Sequence, residues 1–387
     1  MILRQDGSVW TTAATIDEGD VSLLHGIMYS KQFIRVIPSG ATAVAAGNAF
    51  SLALKRDGSV WATGDNSRCQ LGTASKVTKN SFFFVQLIPG AKAVAAGGCH
   101  SIVLTHENQV WATGWNKYGQ LGAGMTNYKT SFFVVMSSES KAVAVAAGDI
   151  HSVVLKLDGS VWASGRNYNG QLGVGSRDGQ VNFVNTISGG AVNVAAGGYH
   201  TMVLNEDGSV WAAGWNEYGQ LGDGSKTDRI DYVRVVSSGA KAVAAGSRHS
   251  MVLKQDGSVW TTGYNLYGQL GNGSADDSEV FVQVMSTGAK VVAGGGFHSM
   301  VLKQDDTIWA AGSNKDGQLG DGTTTSEKSF VQITPLGKST KHDCDMVHVH
   351  FMLSFTRVTA MHSIVEFGRA TIASSTPKSE SKTDGRY

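Results

Sequence analysis

The sequence is poor in charged residues and nearly neutral. Asp, Glu, Lys and Arg make up 16% of its 387 residues and the formal net charge is +1, whereas a usual soluble domain has about 25% charged residues. A chain with so little net charge offers no electrostatic reason to bind nucleic acid or a membrane surface. We therefore expect neither as a partner.

Cysteines and long apolar runs are also scarce. The three cysteines, Cys69, Cys99 and Cys344, match no disulfide framework, which is typical of a reducing compartment. No stretch of 18 or more apolar residues and no signal peptide is present. We expect a cytoplasmic protein, with the nucleus as the alternative.

Motifs that carry catalytic chemistry are missing as well. The sequence contains no P-loop, no Gly-x-Ser-x-Gly and no Cys-x-x-Cys. Two loops, Asp223-Gly224 and Asp321-Gly322, contain aspartate but lack the alternating acids of an EF-hand. We expect no catalytic residue, no metal and no cofactor.

Tryptophan, by contrast, recurs with a regular period. Seven tryptophans are spaced 49 to 51 residues apart: Trp10, Trp61, Trp111, Trp162, Trp211, Trp260 and Trp309. Glycine is abundant, with 49 residues, which suits many tight turns. A repeat of this length with several short strands is typical of a β-propeller blade. One blade cannot bury both faces of its small sheet, whereas seven packed radially can.

The unit at residues 191–224 shows how one repeat is built. Val192–Ala195, Thr201–Leu204 and Ser209–Ala212 are short β-prone runs, separated by Gly-Gly and by Asp207-Gly208. Short runs with such turn signals predict an antiparallel meander. The sequence therefore predicts an all-β, seven-bladed propeller.

Two further motifs recur from repeat to repeat. Ala-Ala-Gly, two variable residues and His-Ser or His-Thr occur at 95–101, 146–152, 195–201 and 244–250, with a variant at 293–299. Asn-x-x-Gly-Gln-Leu-Gly occurs at 116–122, 167–173, 216–222, 265–271 and 314–320, and Cys69 replaces its first glycine at 66–72. Together they resemble the blade unit of the regulator of chromosome condensation family, over residues 1–335.

The two ends of the chain depart from this repeat. Met1 aligns with the middle of a blade, so the first of the seven repeats in residues 1–335 is incomplete. In the degenerate segment 336–373, Val358–Val365 echoes the missing strand, and our hypothesis is that it pairs with Met1–Arg4 to close the ring. The alternative is a disordered segment, which we expect for residues 374–387 in either case.

The repeated histidines and tryptophans are expected to be structural. Symmetry spreads one histidine per blade around a ring, whereas zinc needs three or four ligands at one point. The tryptophans are expected to pack between blades. The residues assigned this role are His100, His151, His200, His249, His298, Trp61, Trp111, Trp162, Trp211, Trp260 and Trp309.

Variable loop residues are the candidates for binding a partner, because function usually lies in the loops of a rigid scaffold. Tyr, Trp and Arg dominate interface hot spots. The candidate partner-binding residues are Asp149, Ile150, Tyr199, Arg248, Phe297, Trp115 and Trp215. Tyr118, Tyr218 and Tyr267 repeat in register, so we expect them to cover neighbouring blades. The leading hypothesis is a non-enzymatic, monomeric platform that binds a protein partner.

The family resemblance implies an alternative function, guanine-nucleotide exchange on a Ran-like small GTPase. In that family, acidic and histidine side chains of the Ala-Gly-x-x-His loops contact the GTPase, and a β-hairpin wedge projects from one blade. Asp149 resembles one such acidic position, but Gly198-Tyr199 stands where a second acid is expected, and the ordinary spacing from Trp162 to Trp211 leaves no room for a wedge. A second alternative is a small-molecule or carbohydrate site in the central channel.

Overall fold

Each repeat folds into one antiparallel sheet, and seven such sheets follow one another along the chain. The computed structural model describes residues 1–14, 28–74, 76, 79–88 and 90–333, all within one compact unit. The sheets are arranged as the blades of a propeller, so the predicted all-β, seven-bladed fold is confirmed.

The first three blades contain the strands β1 to β11. Blade 1 comprises β1 (Ile2–Leu3), β2 (Val9–Ala14) and β3 (Met28–Ile37). Blade 2 comprises β4 (Ala41–Ala46), β5 (Phe50–Lys55), β6 (Ser59–Gly64) and β7 (Lys79–Leu87). Blade 3 comprises β8 (Ala91–Ala96), β9 (His100–Thr105), β10 (Val110–Gly114) and β11 (Lys129–Met136), followed by a 3₁₀ turn at Ser138–Ser140.

The last four blades contain four strands each. Blade 4 comprises β12 (Ala142–Ala147), β13 (His151–Lys156), β14 (Val161–Gly165) and β15 (Gln180–Ile187). Blade 5 comprises β16 (Ala191–Ala196), β17 (His200–Asn205), β18 (Val210–Gly214) and β19 (Arg229–Val236). Blade 6 comprises β20 (Ala240–Ala245), β21 (His249–Lys254), β22 (Val259–Gly263) and β23 (Ser278–Met285). Blade 7 comprises β24 (Ala289–Gly294), β25 (His298–Lys303), β26 (Ile308–Gly312) and β27 (Glu327–Ile333).

The Asp-Gly-Ser-Val-Trp sequence forms the turn between the second and third strands of a blade. In blade 5, Gly208 has φ +75°, a value that favours glycine because it has no Cβ. Asp207 Oδ1 accepts a hydrogen bond from the Ser209 N–H at 2.8 Å, and Ser209 Oγ accepts one from Trp211 Nε1 at 3.1 Å. The turn therefore satisfies the indole N–H within its own sequence.

One chain of hydrogen bonds links the two recurrent motifs across neighbouring blades. The Ser152 hydroxyl of blade 4 donates to the Gln120 carbonyl at 2.6 Å. It therefore accepts from His100 Nε2 of blade 3, which lies 2.9 Å away. The same arrangement recurs at His151–Thr201–Gln171, His200–Ser250–Gln220 and His249–Ser299–Gln269. The motif histidine thus fastens its blade to the next one.

The hydrophobic core lies between the blades. Between blades 4 and 5, for example, Leu155 and Leu172 pack with Val194 and Val203. Small inner-strand alanines allow this close approach, and the leucines of the Gln-Leu-Gly loops are fully buried. Trp10, Trp61, Trp111, Trp162, Trp260 and Trp309 each pack against the core cluster of the preceding blade.

Blade 1 packs against blade 7 and so completes the circle of contacts. Ile2 and Phe33 share a buried cluster with Leu302 and Leu319. A β-bridge between Gln32 and Asp321 repeats the one that Asn272 and Ser329 make between blades 6 and 7. Within the described residues, the inner Ala-Ala-Gly strand of blade 1 is not present. The segments 336–373 and 374–387, including the strand hypothesised at 358–365, lie outside the described residues.

The turn of blade 7 has an aspartate where most repeats have glycine, and this predicts a stabilising substitution. Asp306 keeps the turn geometry with φ +62°, although this conformation is strained for any residue with a Cβ. Its ion pair with Lys290, at 3.3 Å and partly exposed, contributes little. We expect Asp306→Gly to raise the free energy of unfolding by about 0.5–1 kcal/mol, measured by urea denaturation. Lys290→Ala is the control for the lost ion pair, and a stability of Asp306→Gly below that of wild type would contradict the prediction.

Candidate functional site

Two sets of loops lie on the same face of the propeller. In an antiparallel blade, the connection from first to second strand and the connection from third to fourth strand lie at the same end. The first contains the two residues before the motif histidine, and the second contains the Asn-x-x-Gly-Gln-Leu-Gly motif. We call this end the loop face; the Asp-Gly turns lie at the opposite end.

The Asn motif builds a rigid loop on this face. In blade 3 the side chain of Asn116 is fully buried, and its Oδ1 accepts a hydrogen bond from the Leu121 N–H at 3.0 Å. Gln120 Oε1 accepts one from the Tyr118 N–H, also at 3.0 Å. Because the loop is held by its own side chains, the aromatic residues on it have fixed positions.

A cluster of aromatic side chains on the loop face spans several blades. Each ring is within 6.3 Å of the next, centroid to centroid, and the pairs are T-shaped. We define the aromatic cluster as Tyr199, Trp215, Tyr218, Arg248, Tyr264, Tyr267 and Phe297. Every member is half-buried, so each keeps a surface available to solvent.

Arg248 lies at the centre of the aromatic cluster. Its guanidinium carbon is 5.3 Å from the ring centroid of Trp215, 5.5 Å from that of Tyr218 and 5.7 Å from those of Tyr264 and Phe297. A guanidinium this close to aromatic rings is held by cation–π attraction. One long hydrogen bond of 3.5 Å reaches the Tyr218 hydroxyl. The rings thus fix the arginine without a carboxylate.

The cluster continues toward blades 3 and 4. Arg166 lies 5.3 Å from the ring centroid of Tyr118 and 4.5 Å from that of Tyr168. Trp115 packs edge-on against Tyr118 at 5.5 Å, and Arg68 lies 5.4 Å from Trp115. Arg68 and Arg166 were not among the candidates drawn from the sequence. Arg166 occupies the variable position directly before the Asn motif, and Trp115 and Trp215 occupy the same position in their own blades.

Asp149 lies beside the aromatic cluster, near Tyr199 and Arg248, at the mouth of the central channel. Burial raises the pKa of its carboxyl group, while a hydrogen bond from Asn48 and the nearby Arg248 charge act in the opposite direction. The channel holds a cavity of about 410 Å³ lined mainly by alanine and glycine; its polar lining side chains are Asn48, Asp149, Ser247, His298 and Gln318. Most of the polar side chains that line the cavity therefore lie at the mouth of the channel.

Ile150 does not offer a binding surface. It occupies the same motif position as Tyr199 and Arg248, but its exposed fraction is only 5%. Ile150 therefore contributes to packing, and we leave it out of the surface described below. The other six candidate residues remain partly exposed.

His298, the motif histidine of blade 7, is half-buried and lines the channel cavity, whereas the other motif histidines have no access to the loop face. These four are fully buried: His100, His151, His200 and His249. Burial lowers the pKa of His100 to about 4 and that of His151, His200 and His249 to about 3. They are neutral at physiological pH and engaged between blades, which leaves no histidine in this set to act as an acid, base or ligand at the surface.

The aspartates of the two candidate calcium loops are used within their own loops. Asp223 accepts hydrogen bonds from Asn216 and Ser225 and pairs with Arg229 at 2.6 Å. Asp321 accepts hydrogen bonds from Asn314 and Thr323. In the described parts of the chain, no three potential ligand side chains come together to hold a metal, and no helix has the length and apolar character to span a bilayer.

Comparisons with solved structures agree with this fold. Human WBSCR16 superposes with a TM-score of 0.73 at 23% identity, covering 84% of this chain and 89% of that one. Prp20p from Saccharomyces cerevisiae, described with its binding to Gsp1p and histones, gives a TM-score of 0.72 at 21% identity, covering 82% and 83%. Yeast RCC1 (Prp20) bound to Kap60 gives 0.71 at 21%, covering 80% and 79%. No curated protein matches the sequence significantly.

Family models assign the chain more directly. The model of the RCC1-like domain matches residues 77–361, and that of the regulator of chromosome condensation (RCC1) repeat matches residues 41–70. The resemblance drawn from the Ala-Ala-Gly and Asn motifs is confirmed. Because the RCC1-like domain model matches well over half of this chain, the chain belongs to the RCC1-like domain family.

Proposed function

We propose that this chain is a non-enzymatic binding platform whose protein partner docks on the aromatic cluster of the loop face. The supporting observation is the position of Arg248 among Trp215, Tyr218, Tyr264 and Phe297, all half-buried. Half-buried arginine and aromatic side chains are the groups that carry most binding energy in protein interfaces. Repeat symmetry does not require Arg248 or Phe297, because the equivalent positions in blades 2 and 3 are Ala49 and Cys99.

The rigidity of the loops supports the same function. Each Asn motif is held by hydrogen bonds between its own side chains and its own backbone. In blade 5, for example, Asn216 Oδ1 accepts a hydrogen bond from the Leu221 N–H at 2.9 Å. Aromatic side chains on a fixed backbone lose little conformational freedom on binding, which improves affinity. We infer that the partner meets a preformed surface.

Nucleotide exchange on a Ran-like GTPase is the alternative, and Asp149 is the residue that favours it. Its carboxyl group lies on the loop face, as the family resemblance requires, and Prp20p, which shares the fold, is described with its binding to Gsp1p. Two features weigh against exchange in this chain. Asp149 is largely enclosed and bonded to Asn48, and the described loop between β14 and β15 has no hairpin insertion.

The experiment is affinity capture from lysate with a matched set of variants, quantified by mass spectrometry. We expect Phe297→Ala to reduce capture of the principal partner at least about tenfold, because truncating a central hot spot costs about 2 kcal/mol. Leu157→Ala is the control, since Leu157 is 63% exposed on the opposite face. Equal capture by wild type and Phe297→Ala would place the binding surface elsewhere.

A second measurement separates the two functions. Release of a fluorescent GDP analogue from a Ran-type GTPase is followed with wild type and Asp149→Ala. We expect no acceleration by either protein. Acceleration by wild type that is lost in Asp149→Ala would make the chain an exchange factor.

A further inference from the structure

We propose that the aromatic cluster receives a short acidic segment of the partner, with one carboxylate on Arg248 and a second on Arg166. This inference rests on the proposed function and adds the chemistry of the partner. It starts from three arginines of the loop face, Arg68, Arg166 and Arg248, which are held on aromatic rings.

None of the three forms a salt bridge within the described residues, although Asp149 lies close enough to Arg248 for the arginine charge to lower the pKa of its carboxyl group. The ion pairs found there join Arg177 to Asp228, Lys226 to Glu279, Arg229 to Asp223 and Lys290 to Asp306. Four cations thus have an acidic partner, whereas these three arginines contact aromatic rings instead; Arg166 and Arg248 are half-buried and Arg68 is exposed. An unpaired, partly desolvated charge is a site that an anion can stabilise.

Arg248 is prepared to bind a carboxylate. A guanidinium has five N–H donors in a planar fork, and the described residues engage one of them, in the 3.5 Å contact with Tyr218. The four surrounding rings hold the group in place and exclude part of its water. A carboxylate can therefore form two parallel hydrogen bonds with a guanidinium that has little rotational freedom left to lose.

Arg166 supplies the second anchor. Its Nε–H is buried without a hydrogen-bond partner among the described residues, so the site lacks one acceptor. Burial and the Asp149 charge raise the pKa of the Tyr199 hydroxyl, whereas the Arg166 and Arg248 charges act in the opposite direction, so both arginines lie near this hydroxyl. The two anchors are therefore neighbours on one surface, and one extended segment can reach both.

The surroundings favour a short acidic segment over a polyanion. Exposed acids lie on the same face, at Glu217, Asp277 and Asp316, and the whole chain carries a net charge of only +1. A nucleic acid would bring a phosphate charge against each of these acids and gain little from the net charge, whereas a segment with two carboxylates needs to contact only the two arginines. Apolar residues beside the partner's carboxylates would contact Trp215 and Phe297, which makes an acidic segment with apolar flanks the best match.

The test uses a fluorescein-labelled peptide, Gly-Phe-Ser-Glu-Ser-Glu-Ser-Phe-Gly amide, in which each phenylalanine is two residues from a glutamate, and fluorescence anisotropy with the full chain. Glutamates two residues apart lie on one side of an extended peptide. We expect saturable binding that is at least about tenfold weaker for the peptide with both glutamates replaced by glutamine. Arg248→Gln should weaken binding of the acidic peptide by at least about tenfold, and Arg248→Lys should restore only part of it.

Arg56→Gln is the control variant, because Arg56 is exposed on the opposite face. Thermal melts establish that each variant is folded. Equal binding of the acidic and amide peptides, no loss in Arg248→Gln, or no binding up to about 1 mM would each overturn the inference. If capture of the partner still depends on Phe297 while the acidic peptide fails to bind, the acidic segment is wrong and the platform stands.

Discussion

Replacing Gly197 by alanine is expected to destabilise the folded protein strongly. A Cβ at this position would lie 2.2 Å from His200 Cε1 and 2.5 Å from the carbonyl oxygen of Gly246 in the next blade. Real Cβ atoms do not approach other heavy atoms so closely, and the carbonyl belongs to a packed strand end that cannot move away. The histidine cannot move either, because its Nε2 is bonded to Ser250 at 2.9 Å.

We expect Gly197→Ala to lower the free energy of unfolding by about 3–5 kcal/mol. For a chain of this size that corresponds to a fall in Tm of about 4–7 °C, measured by circular dichroism. Gly296→Ala is the matched control: it lies in the equivalent loop of blade 7, and its nearest heavy atom, Ser247 Oγ, would be 3.9 Å away. Similar melting temperatures for the two variants would show that the close contact with His200 is not the reason why position 197 requires glycine.

This contact also explains how far the sequence alone could predict the fold. Ala-Ala-Gly-x-x-His is visible as a motif because the glycine and histidine are in contact within one repeat, and repetition exposes such local constraints. The strand order within a blade follows from turns such as Asp207-Gly208 for the same reason. The link from His100 to Ser152 crosses blades, yet symmetry repeats it, so it too leaves a periodic trace.

The aromatic cluster, by contrast, could be predicted only in part. Tyr199, Arg248 and Phe297 were recognised as candidates because they occupy variable motif positions. Their meeting with Trp215 and Tyr264 depends on side chains from three different blades, which no single repeat specifies.

Ile150 also shows that the exposure of a side chain could not be predicted from its position in the motif. It has the same motif position as Arg248 but is buried. A motif position determines where the backbone lies, whereas exposure depends on which side chains the adjacent loops contribute.

Acid should destabilise the propeller in a defined pH window. The side chains of His100, His151, His200 and His249 are buried, and their pKa values in the folded protein are lowered to between about 3 and 4. In the unfolded chain a histidine has a pKa near 6.5. Between these values the unfolded state binds more protons than the folded state, so the free energy of unfolding falls as the pH falls.

The size of the effect comes from the number of histidines. Each proton taken up on unfolding changes the free energy of unfolding by about 1.4 kcal/mol per pH unit. Burial also lowers the pKa of His298 to about 4, so five histidines contribute, and their combined effect on the free energy of unfolding is expected to dominate from pH 6.5 down to about 4. Turn aspartates such as Asp57, whose pKa is held low by hydrogen bonds from Ser59, titrate below this window. Asp149, whose pKa is raised, opposes the trend as a single group.

Blade 2 indicates a substitution that tests whether the buried histidines cause acid unfolding. Phe50 occupies the motif histidine position in blade 2, where its ring packs against Gly47 as the histidine rings pack against their glycines. The facing Ser101 still donates its hydroxyl hydrogen bond to the Gln70 carbonyl at 2.6 Å. A phenylalanine is therefore tolerated at this place in the fold, and His200→Phe is the corresponding variant.

We expect His200→Phe to be less stable than wild type at pH 7.5 by about 1 kcal/mol, because the hydrogen bond to Ser250 is lost. As the pH falls from 6.5, one histidine fewer destabilises the variant than destabilises wild type, so the stability gap should narrow by about 1.4 kcal/mol per pH unit and then reverse. Urea denaturation across pH 4.5 to 7.5 measures both curves. Parallel curves for the two proteins would mean that the buried histidines do not drive acid unfolding. A narrowing gap would assign to the motif histidine both the fastening of neighbouring blades and their release by acid.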